Sequence, residues 1–211
     1  NVLGDLELKT INENGKRCYV TPDGEKYPSV TTVLSDYKKE GIIQWRKRVG
    51  EKQANKISTQ ASRRGTKVHK LCEDYLNNEL SFDDYTPDNV VMFKSIQSIL
   101  DEIELVYGQE RTLFSNHLRV GGRVDCVGIF RGKKHIIDFK TSSKPKKEEW
   151  IDNYFMQGSA YSVMWEEMTG VSIPYIAIII AVADEVPQIF IEHRDNWIDK
   201  FIEIRNNYDN S

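Results

Sequence analysis

Two aspartates and a lysine form the most informative pattern in this sequence. Asp125 lies in one apolar segment, and Asp138 and Lys140 lie in the next, beyond an Arg131-Gly132 pair. If Arg131-Gly132 is a two-residue hairpin turn, the numbers of opposing residues add up to 263, and 125 + 138 = 263. The pattern therefore predicts that the two aspartates face each other across a β-hairpin. Lys140 lies on the same side as Asp138, because side chains alternate along a strand.

Opposed acidic side chains on this hairpin need a compensating charge. The neighbouring residues on both strands are apolar, which indicates internal strands. Two buried carboxylates that face each other require a shared proton or a bound cation, and oxygen ligands suit Mg²⁺ or Mn²⁺. A nearby lysine can hold a water molecule or stabilise charge on a phosphate. The alternative is an exposed strand on which Lys140 forms a salt bridge with one aspartate while the other lies in solvent.

Two further motifs are predicted on helices. His69 and Glu73 are four residues apart and share one helix face, as do Gln157 and Tyr161 on the helix that follows the hairpin. Taken alone, the first motif is also typical of a surface pair and the second of a partly buried amphipathic helix. Cys72 lies three residues from His69, but the sequence has no second Cys or His pair at ligand spacing, which argues against zinc.

Charge is segregated along the chain, although the net charge of its 211 residues is only −3. Residues 38–70 hold eleven Lys and Arg against two acids, and residues 73–110 hold ten acids against one lysine. A second basic block, residues 131–147, holds seven Lys and Arg against one acid. If the fold brings the two basic blocks together, they form a surface for nucleic acid; otherwise they are solvated helix faces.

Composition argues against several other classes of protein. The longest apolar run, residues 175–183, has nine residues, whereas a membrane span needs about 20. The first residues show no signal peptide. Three scattered cysteines indicate a reducing compartment and are too few for a four-cysteine iron–sulfur cluster.

The pattern of elements predicts a single α/β domain over residues 1–211. Residues 1–28 are expected to form short strands and turns, and residues 29–108 to be mainly helical. Residues 109–208 are expected to form a small mixed β-sheet with flanking helices.

Local signals predict where the helical part begins and breaks. Ser29 is expected to cap a helix over residues 30–36. Breaks are expected near Gly50 and again at Ser58-Thr59. The last helix of this part is expected to continue to Gly108.

The motifs occur in an order that resembles a known nuclease superfamily. An acid on one strand followed by acid-x-Lys on the next resembles the active site of the PD-(D/E)xK nucleases, which have a restriction-endonuclease-like core. The Gly65–His69 helix and the Gln157-x-x-x-Tyr161 helix resemble those of the RecB-like branch. With the segments Ile137–Ser142 and Lys144–Lys146, the order is most like the mitochondrial genome maintenance exonuclease family and related phage and bacterial exonucleases.

The resemblance implies a metal-dependent exonuclease that hydrolyses single-stranded DNA from free ends, leaves 5′-phosphate products and acts in replication, recombination or repair. It implies that Asp125, Asp138 and Lys140 are catalytic. It also implies that one or two Mg²⁺ or Mn²⁺ ions are bound by Asp125, Asp138, the backbone carbonyl of Phe139 and His69.

Further residues are carried over from the resemblance. Glu73 and Glu110 are candidate supporting acids, and a structural ion pair explains Glu110 equally well. The expected partners are single-stranded DNA and replication or recombination proteins, with no membrane partner. The residues implied to bind the substrate are Arg63, Arg64, Lys67, Arg123, Thr141, Ser142, Lys144, Lys146, Gln157 and Tyr161.

Two other functions remain open on the sequence. A double-strand or junction endonuclease shares the same core, and a catalytically inactive nucleic-acid-binding module shares the fold. Asp125, Asp138 and Lys140 are all present, which argues against the inactive module. Because no transit peptide is visible, the expected location is the cytoplasm of a bacterium or a phage-infected cell rather than the mitochondrial matrix.

Overall fold

The computed structural model describes residues 3, 4 and 6–209, which form two β-sheets. In the five-stranded sheet one pair of neighbouring strands runs parallel and the other neighbouring pairs run antiparallel, so this sheet is mixed, as predicted. The three-stranded antiparallel sheet consists of β1 (Lys9–Glu13), β2 (Lys16–Val20) and β3 (Lys26–Pro28). The five-stranded sheet consists, in spatial order, of β4 (Ile103–Ser115), β5 (Val120–Phe130), β6 (Lys133–Ser142), β7 (Tyr175–Val182) and β8 (Gln188–His193).

Most helices precede the five-stranded sheet, and one connects its parallel strands. Within the described part of the chain, no helix is both long and apolar enough to cross a membrane. The arrangement confirms the predicted α/β fold class, a small mixed sheet flanked by helices with a helical N-terminal half. The helices are α1 (Val30–Tyr37), α2 (Lys39–Val49), α3 (Glu51–Leu76), α4 (Pro87–Leu100), α5 (Asp152–Thr169, between β6 and β7) and α6 (Ile198–Tyr208).

Strand β7 is buried on both faces, which explains its unbroken apolar sequence. Its even-numbered residues from Ile176 to Ile180 pack with Phe155 of α5. Its odd-numbered residues from Ala177 to Ala181 pack with Leu71 of α3 and Phe93 of α4. A strand covered by helices on both faces needs apolar side chains at every position. The five-stranded sheet is therefore the middle layer, with α5 on one face and α3 and α4 on the other.

The beginning of the helical part agrees with the sequence prediction. Ser29 caps α1, and its side-chain oxygen accepts a hydrogen bond from the N–H of Thr32 at 3.0 Å. Gly50 separates α2 from α3 with a φ of 84°, a backbone conformation that glycine adopts without strain. These two residues fix where the helical part starts and where it bends.

Two predicted boundaries in the helical part are wrong. α3 continues unbroken through Ser58-Thr59, because both residues lie exposed on a 26-residue helix whose backbone bonds they do not interrupt. α4 ends at Leu100 instead of near Gly108, because β4 already begins at Ile103 and pairs with β5. At the second boundary, long-range strand pairing outweighs the helical spacing of the apolar residues.

Asp152, at the start of α5, joins three helical elements. Its carboxylate accepts hydrogen bonds from Tyr37 at 2.9 Å and Lys200 at 3.1 Å, and forms an ion pair with Lys38. Burial alone would raise the pKa of Asp152, but its hydrogen bonds to Lys38, Tyr37 and Lys200 lower it to about 2. The cluster fastens both α6 and the junction between α1 and α2 to the N-terminal end of α5.

Helix α5 approaches β7 closely at Gly158. A Cβ atom added to Gly158 would lie 2.4 Å from Cγ2 of Ile176, a distance at which one of the two residues must shift. The absence of a side chain therefore sets the spacing between this helix and the sheet.

We expect Gly158→Ala to destabilise the protein, although alanine favours a helix over glycine by about 1 kcal/mol. The added methyl group collides with the β-branched Ile176, and overpacking of a core costs about 1–3 kcal/mol. The melting temperature, measured by circular dichroism, should fall. Gly41→Ala in α2 is the matched control, because a Cβ there has no atom within 4 Å, and it should leave the melting temperature unchanged or raise it. A higher melting temperature for Gly158→Ala would show that the spacing is not fixed by this contact.

Candidate active site

The hairpin of β5 and β6 carries both aspartates at its open end. The last paired residues of the hairpin are Cys126 and Ile137. Their numbers add up to 263, the sum expected for opposing residues, which confirms the predicted register. Asp125, just before Cys126, and Asp138, just after Ile137, are the next residues beyond this pair at the open end of the hairpin. Oδ2 of Asp125 accepts a hydrogen bond from the backbone N–H of Phe139 at 2.9 Å. The carboxylate of Asp125 therefore connects the two strands just beyond the last paired residues of the hairpin.

Lys140 connects the acidic pair to helix α5. Its Nζ lies 2.9 Å from Oδ2 of Asp138 and donates a hydrogen bond to Oε1 of Gln157 at 3.0 Å. Nε2 of Gln157 donates in turn to the hydroxyl of Tyr161 at 3.2 Å. Asp138 is 3% exposed, whereas Lys140 is half-buried. This chain of contacts fixes the orientation of the lysine and leaves one side of it open.

Helix α3 brings His69 to the acidic pair. Nε2 of His69 lies 3.0 Å from Oδ1 of Asp125 and 3.0 Å from Oε1 of Glu110. One turn earlier, Gly65 lies against β6, where a Cβ would be 3.6 Å from Oγ1 of Thr141. The predicted histidine is thus within reach of any cation that Asp125 binds.

Glu110 reaches His69 from an unusual backbone conformation. Its φ is 52°, in the left-handed region that is strained for residues other than glycine. Its carboxylate contacts His69 and also Nε of Arg123 at 2.8 Å. Strained residues of this kind concentrate at functional sites. Glu110 therefore lies beside His69 and also forms, with Arg123, the ion pair that the sequence left open as its alternative role.

Glu73 joins His69 and Glu110 in a second group of potential ligands. Each of the three offers one ligand atom, and these atoms lie within 4.8 Å of one another. Among the described residues, Oδ2 of Asp138 and Oε1 of Glu110 are buried and have ionic contacts but no well-angled hydrogen bond. Carboxylate oxygens with unused acceptor capacity beside a histidine nitrogen fit a divalent metal ion.

Burial and charge shift the protonation of these groups in the absence of metal. Burial raises the pKa of Asp138 well above its usual range, with Lys140 opposing this and Asp125 adding to it. Burial also acts to raise the pKa of Asp125, but His69 outweighs it and holds that pKa below its usual value. For His69, burial acts to lower the pKa, and the hydrogen bonds to Asp125 and Glu110 raise it to about 11. The histidine is therefore a cation that compensates the acids in the metal-free protein.

An open cavity of about 390 Å³ exposes these groups to solvent. It lies between α3, the open end of the hairpin and the first half of α5. All the predicted catalytic and metal-binding residues meet here, although their roles stay predictions. The cavity is lined by Gly65, Thr66, His69, Asp125, Asp138, Phe139, Lys140, Thr141 and Gln157.

Three of the predicted substrate-binding residues lie at or beside this cavity. Thr141 and Gln157 line it, and Nε of Arg64 donates a hydrogen bond to Oγ1 of Thr141 at 3.4 Å. Tyr161, which was expected to contact the nucleotide, is only 2% exposed. Its hydroxyl orients Gln157 instead, because the helix face that it shares with Gln157 is packed against the sheet.

The other predicted substrate-binding residues lie away from the cavity lining. Ser142 is buried, and its hydroxyl bonds to the carbonyl of Lys144 in a turn. Lys67 donates to the carbonyl of Asp84 at 3.4 Å, and Arg123 is paired with Glu110. Of these residues, Arg63, Lys67, Arg123 and Lys144 are exposed, and Lys146 is half-buried.

Tyr154 lies beside Lys140, a contact that no motif in the sequence predicted. Its ring centroid lies 4.8 Å from Nζ of Lys140. Tyr154 precedes Gln157 by three residues on α5, so it lies on the same helix face. The helical spacing that pairs Gln157 with Tyr161 also extends one turn back to Tyr154.

We expect Asp138→Asn to raise the melting temperature of the metal-free protein at pH 8. The pKa of Asp138 is raised by burial, so its ionisation opposes folding. This destabilisation grows as the pH rises from 3.8, the ordinary pKa of an aspartate, through the raised pKa of Asp138 in the folded protein. The gain in stability from Asp138→Asn should therefore disappear in acid. A gain of about 1 kcal/mol corresponds to about 2–4 °C for a chain of this size.

The melting curves should be recorded in EDTA at pH 4 and pH 8. Glu203→Gln, at an exposed position in the middle of α6, is the control and should have no effect. A clear drop for Asp138→Asn at pH 8 would contradict the close arrangement of the acidic pair.

Comparison with known proteins gives sequence relatives for part of the chain; no family model matches it. The chain is 32% identical to Mitochondrial genome maintenance exonuclease 1 of Mus musculus over 129 residues, which cover 56% of this chain and 38% of the relative. It is 28% identical to the Homo sapiens protein of that name over 130 residues, which cover 56% of this chain and 38% of the relative. It is 29% identical to the Xenopus tropicalis protein of that name over 131 residues, which cover 56% of this chain and 37% of the relative. The match thus spans less than two-fifths of these relatives.

Solved structures resemble the chain only loosely. A crystal structure from Eubacterium rectale, provisionally named an exonuclease, gives a TM-score of 0.39 with 17% identity over 68% of each chain. The similarity to mitochondrial genome maintenance exonucleases, with the paired acids and lysine at the end of one hairpin, supports a PD-(D/E)xK-like nuclease relationship for this chain.

Proposed function

We propose that this chain is a divalent-metal-dependent deoxyribonuclease that hydrolyses single-stranded DNA from free ends and leaves 5′-phosphate products. The arrangement of Asp125, Asp138 and Lys140 at one hairpin end, with His69 3.0 Å from Asp125, carries the proposal. The relatives' names include the word exonuclease, which supports a nuclease. Because the chain matches only part of those relatives, the proposal is argued from its own residues.

Asp125, Asp138 and His69 are the side chains that would bind the metal, with the backbone carbonyl of Phe139 as a further ligand. Glu110, 3.0 Å from His69, is a supporting acid. Bound Mg²⁺ or Mn²⁺ supplies Lewis-acid chemistry, activating a water molecule and stabilising the leaving oxygen. A ligand set made mainly of carboxylate and carbonyl oxygens favours these hard cations over zinc.

Lys140 is placed to orient the attacking water and not to remove its proton. Burial acts to lower the pKa of Lys140, but Asp138 and Asp125 outweigh it and raise the pKa, so the ammonium group stays charged at neutral pH. A charged ammonium group donates hydrogen bonds to water or to a phosphate oxygen on which charge develops. Gln157 holds this group in place from the side of α5.

Basic helices supply a surface for the DNA backbone beside the cavity. Arg64 of α3 reaches Thr141 at the cavity rim, so the helix passes close to the proposed metal site. Contacts from lysine and arginine to phosphates are independent of sequence and suit an enzyme that degrades any strand. The exposed basic residues of α2 and α3 are Lys39, Lys47, Arg48, Lys52, Lys56, Arg63, Lys67 and Lys70.

We expect Asp138→Ala to abolish metal-dependent cleavage. Loss of an outer partner of a metal site already lowers affinity or activity by about 10–100-fold, so loss of a direct ligand should exceed about 100-fold. The assay is digestion of linear single-stranded DNA in Mg²⁺, Mn²⁺ or EDTA, with circular dichroism to confirm folding. The exposed Asp199→Ala serves as the control and should cut at the normal rate. Wild-type cleavage by Asp138→Ala would refute the assignment.

An enzyme that needs a free end should digest linear single strands and leave circular strands of the same sequence intact. We expect this result for the wild type in Mg²⁺ or Mn²⁺, with matched duplex DNA also resistant. Gel electrophoresis of the three substrates after equal times is the measurement. Cutting of circles or duplex would support a double-strand or junction endonuclease, and DNA binding without any cutting would support an inactive module.

A further inference from the structure

A second, smaller cavity adjoins the candidate active site; we call it the side cavity. It has a volume of about 190 Å³ and is lined by α1, α2 and α5. Lys140 and Gln157 line both cavities, so whatever binds in one lies directly beside whatever binds in the other. The side cavity is therefore the first space that a strand meets on leaving the proposed metal site toward α1 and α2.

The walls of the side cavity suit a flat, partly apolar ring. Tyr154 of α5 supplies an aromatic face, and Leu34 of α1 and Ile42 of α2 supply aliphatic ones. Ile42 is 46% exposed on a helix with no buried residue, so packing of the fold does not account for an isoleucine there. Ser35 and Asn153 add polar groups at the edge, where the hydrogen-bonding atoms of a base would lie.

The side cavity is held in shape by the cluster around Asp152. Asp152 binds Tyr37 and Lys38, at the junction between α1 and α2, and directly precedes Asn153 and Tyr154 on α5. The helices on opposite sides of the cavity are therefore tied together at its end. A preformed space loses less entropy on binding than one that must be ordered first.

We propose that the side cavity binds one unpaired DNA base, that of a nucleotide adjacent to the phosphate under attack. The inference rests on the proposed nuclease function and specifies how its site selects single strands. A base in a duplex is stacked and paired, whereas this cavity needs a base whose face is free for Tyr154 and Ile42. Stacking on aromatic side chains is tolerant of sequence, because every base has a π-face.

The test compares linear single strands that are identical except for one abasic nucleotide at a defined position. Cleavage rates at each bond are measured for the wild type by gel electrophoresis of end-labelled strands in Mg²⁺ or Mn²⁺. We expect one bond beside the abasic nucleotide to be cut about 5- to 100-fold more slowly, as loss of one stacked base predicts, while the bonds that the enzyme reaches before it are cut at the rate of the intact strand. Equal rates at every bond would overturn the inference while leaving the nuclease function intact.

Variants separate the side cavity from general DNA binding. Ile42→Ala and Tyr154→Leu should cut intact strands more slowly and should lose most of the difference between intact and abasic strands. Tyr154→Phe, which keeps the ring, should retain that difference. Val91→Ala, at a position of α4 that is 63% exposed, should behave as the wild type. If Ile42→Ala and Tyr154→Leu keep the full abasic effect, the base is recognised elsewhere and the inference is wrong.

A binding measurement keeps the inference testable even if the chain proves not to cut DNA. Fluorescence anisotropy of the Asp138→Asn protein should show tighter binding of oligothymidine than of a fully abasic strand of equal length. The same measurement with Ile42→Ala added should show a smaller preference. No difference between the two strands would overturn the side-cavity inference independently of any result on cleavage.

Discussion

The candidate site depends on holding the buried carboxylate of Asp138 beside the half-buried carboxylate of Asp125. Asp125 and Asp138 repel each other in a region of low polarity, and separate cations compensate them, His69 for Asp125 and Lys140 for Asp138. Each cation arrives from its own element, α3 for the histidine and β6 for the lysine. The position of α3 is therefore part of the electrostatics of the site, because moving α3 away leaves Asp125 without its partner, whereas Lys140 shares β6 with Asp138.

The parts of the site that are close in sequence could be predicted. The two-residue turn at Arg131-Gly132 fixes the hairpin register, so the position of Asp125 relative to Asp138 followed from arithmetic alone. Helical spacing likewise placed Gln157 beside Tyr161. In both cases the geometry depends on one turn or one helix, and no knowledge of the remaining chain is needed.

The parts that depend on distant contacts could not be predicted. The left-handed backbone of Glu110 has no sequence signal, since such residues are usually glycine or asparagine, and it is this conformation that accompanies the contact with His69. Periodicity showed that Tyr161 faces the same way as Gln157, but not that the sheet buries that face. The end of α4 at Leu100 was missed for the same reason, because it is set by pairing of β4 with β5.

The residues of the candidate site come from two separate parts of the chain, and this affects the order in which the site assembles during folding. Asp125, Asp138, Lys140 and Gln157 belong to one continuous hairpin–helix unit, whereas His69 comes from a helix far upstream. Contacts that are local in sequence close with a smaller loss of chain entropy and form faster. The acidic half of the site can thus assemble before α3 docks, and Asp125 then lacks its counter-charge. Docking of α3 consequently gains an electrostatic driving force in addition to apolar burial, one that should weaken in acid as the carboxylates take up protons.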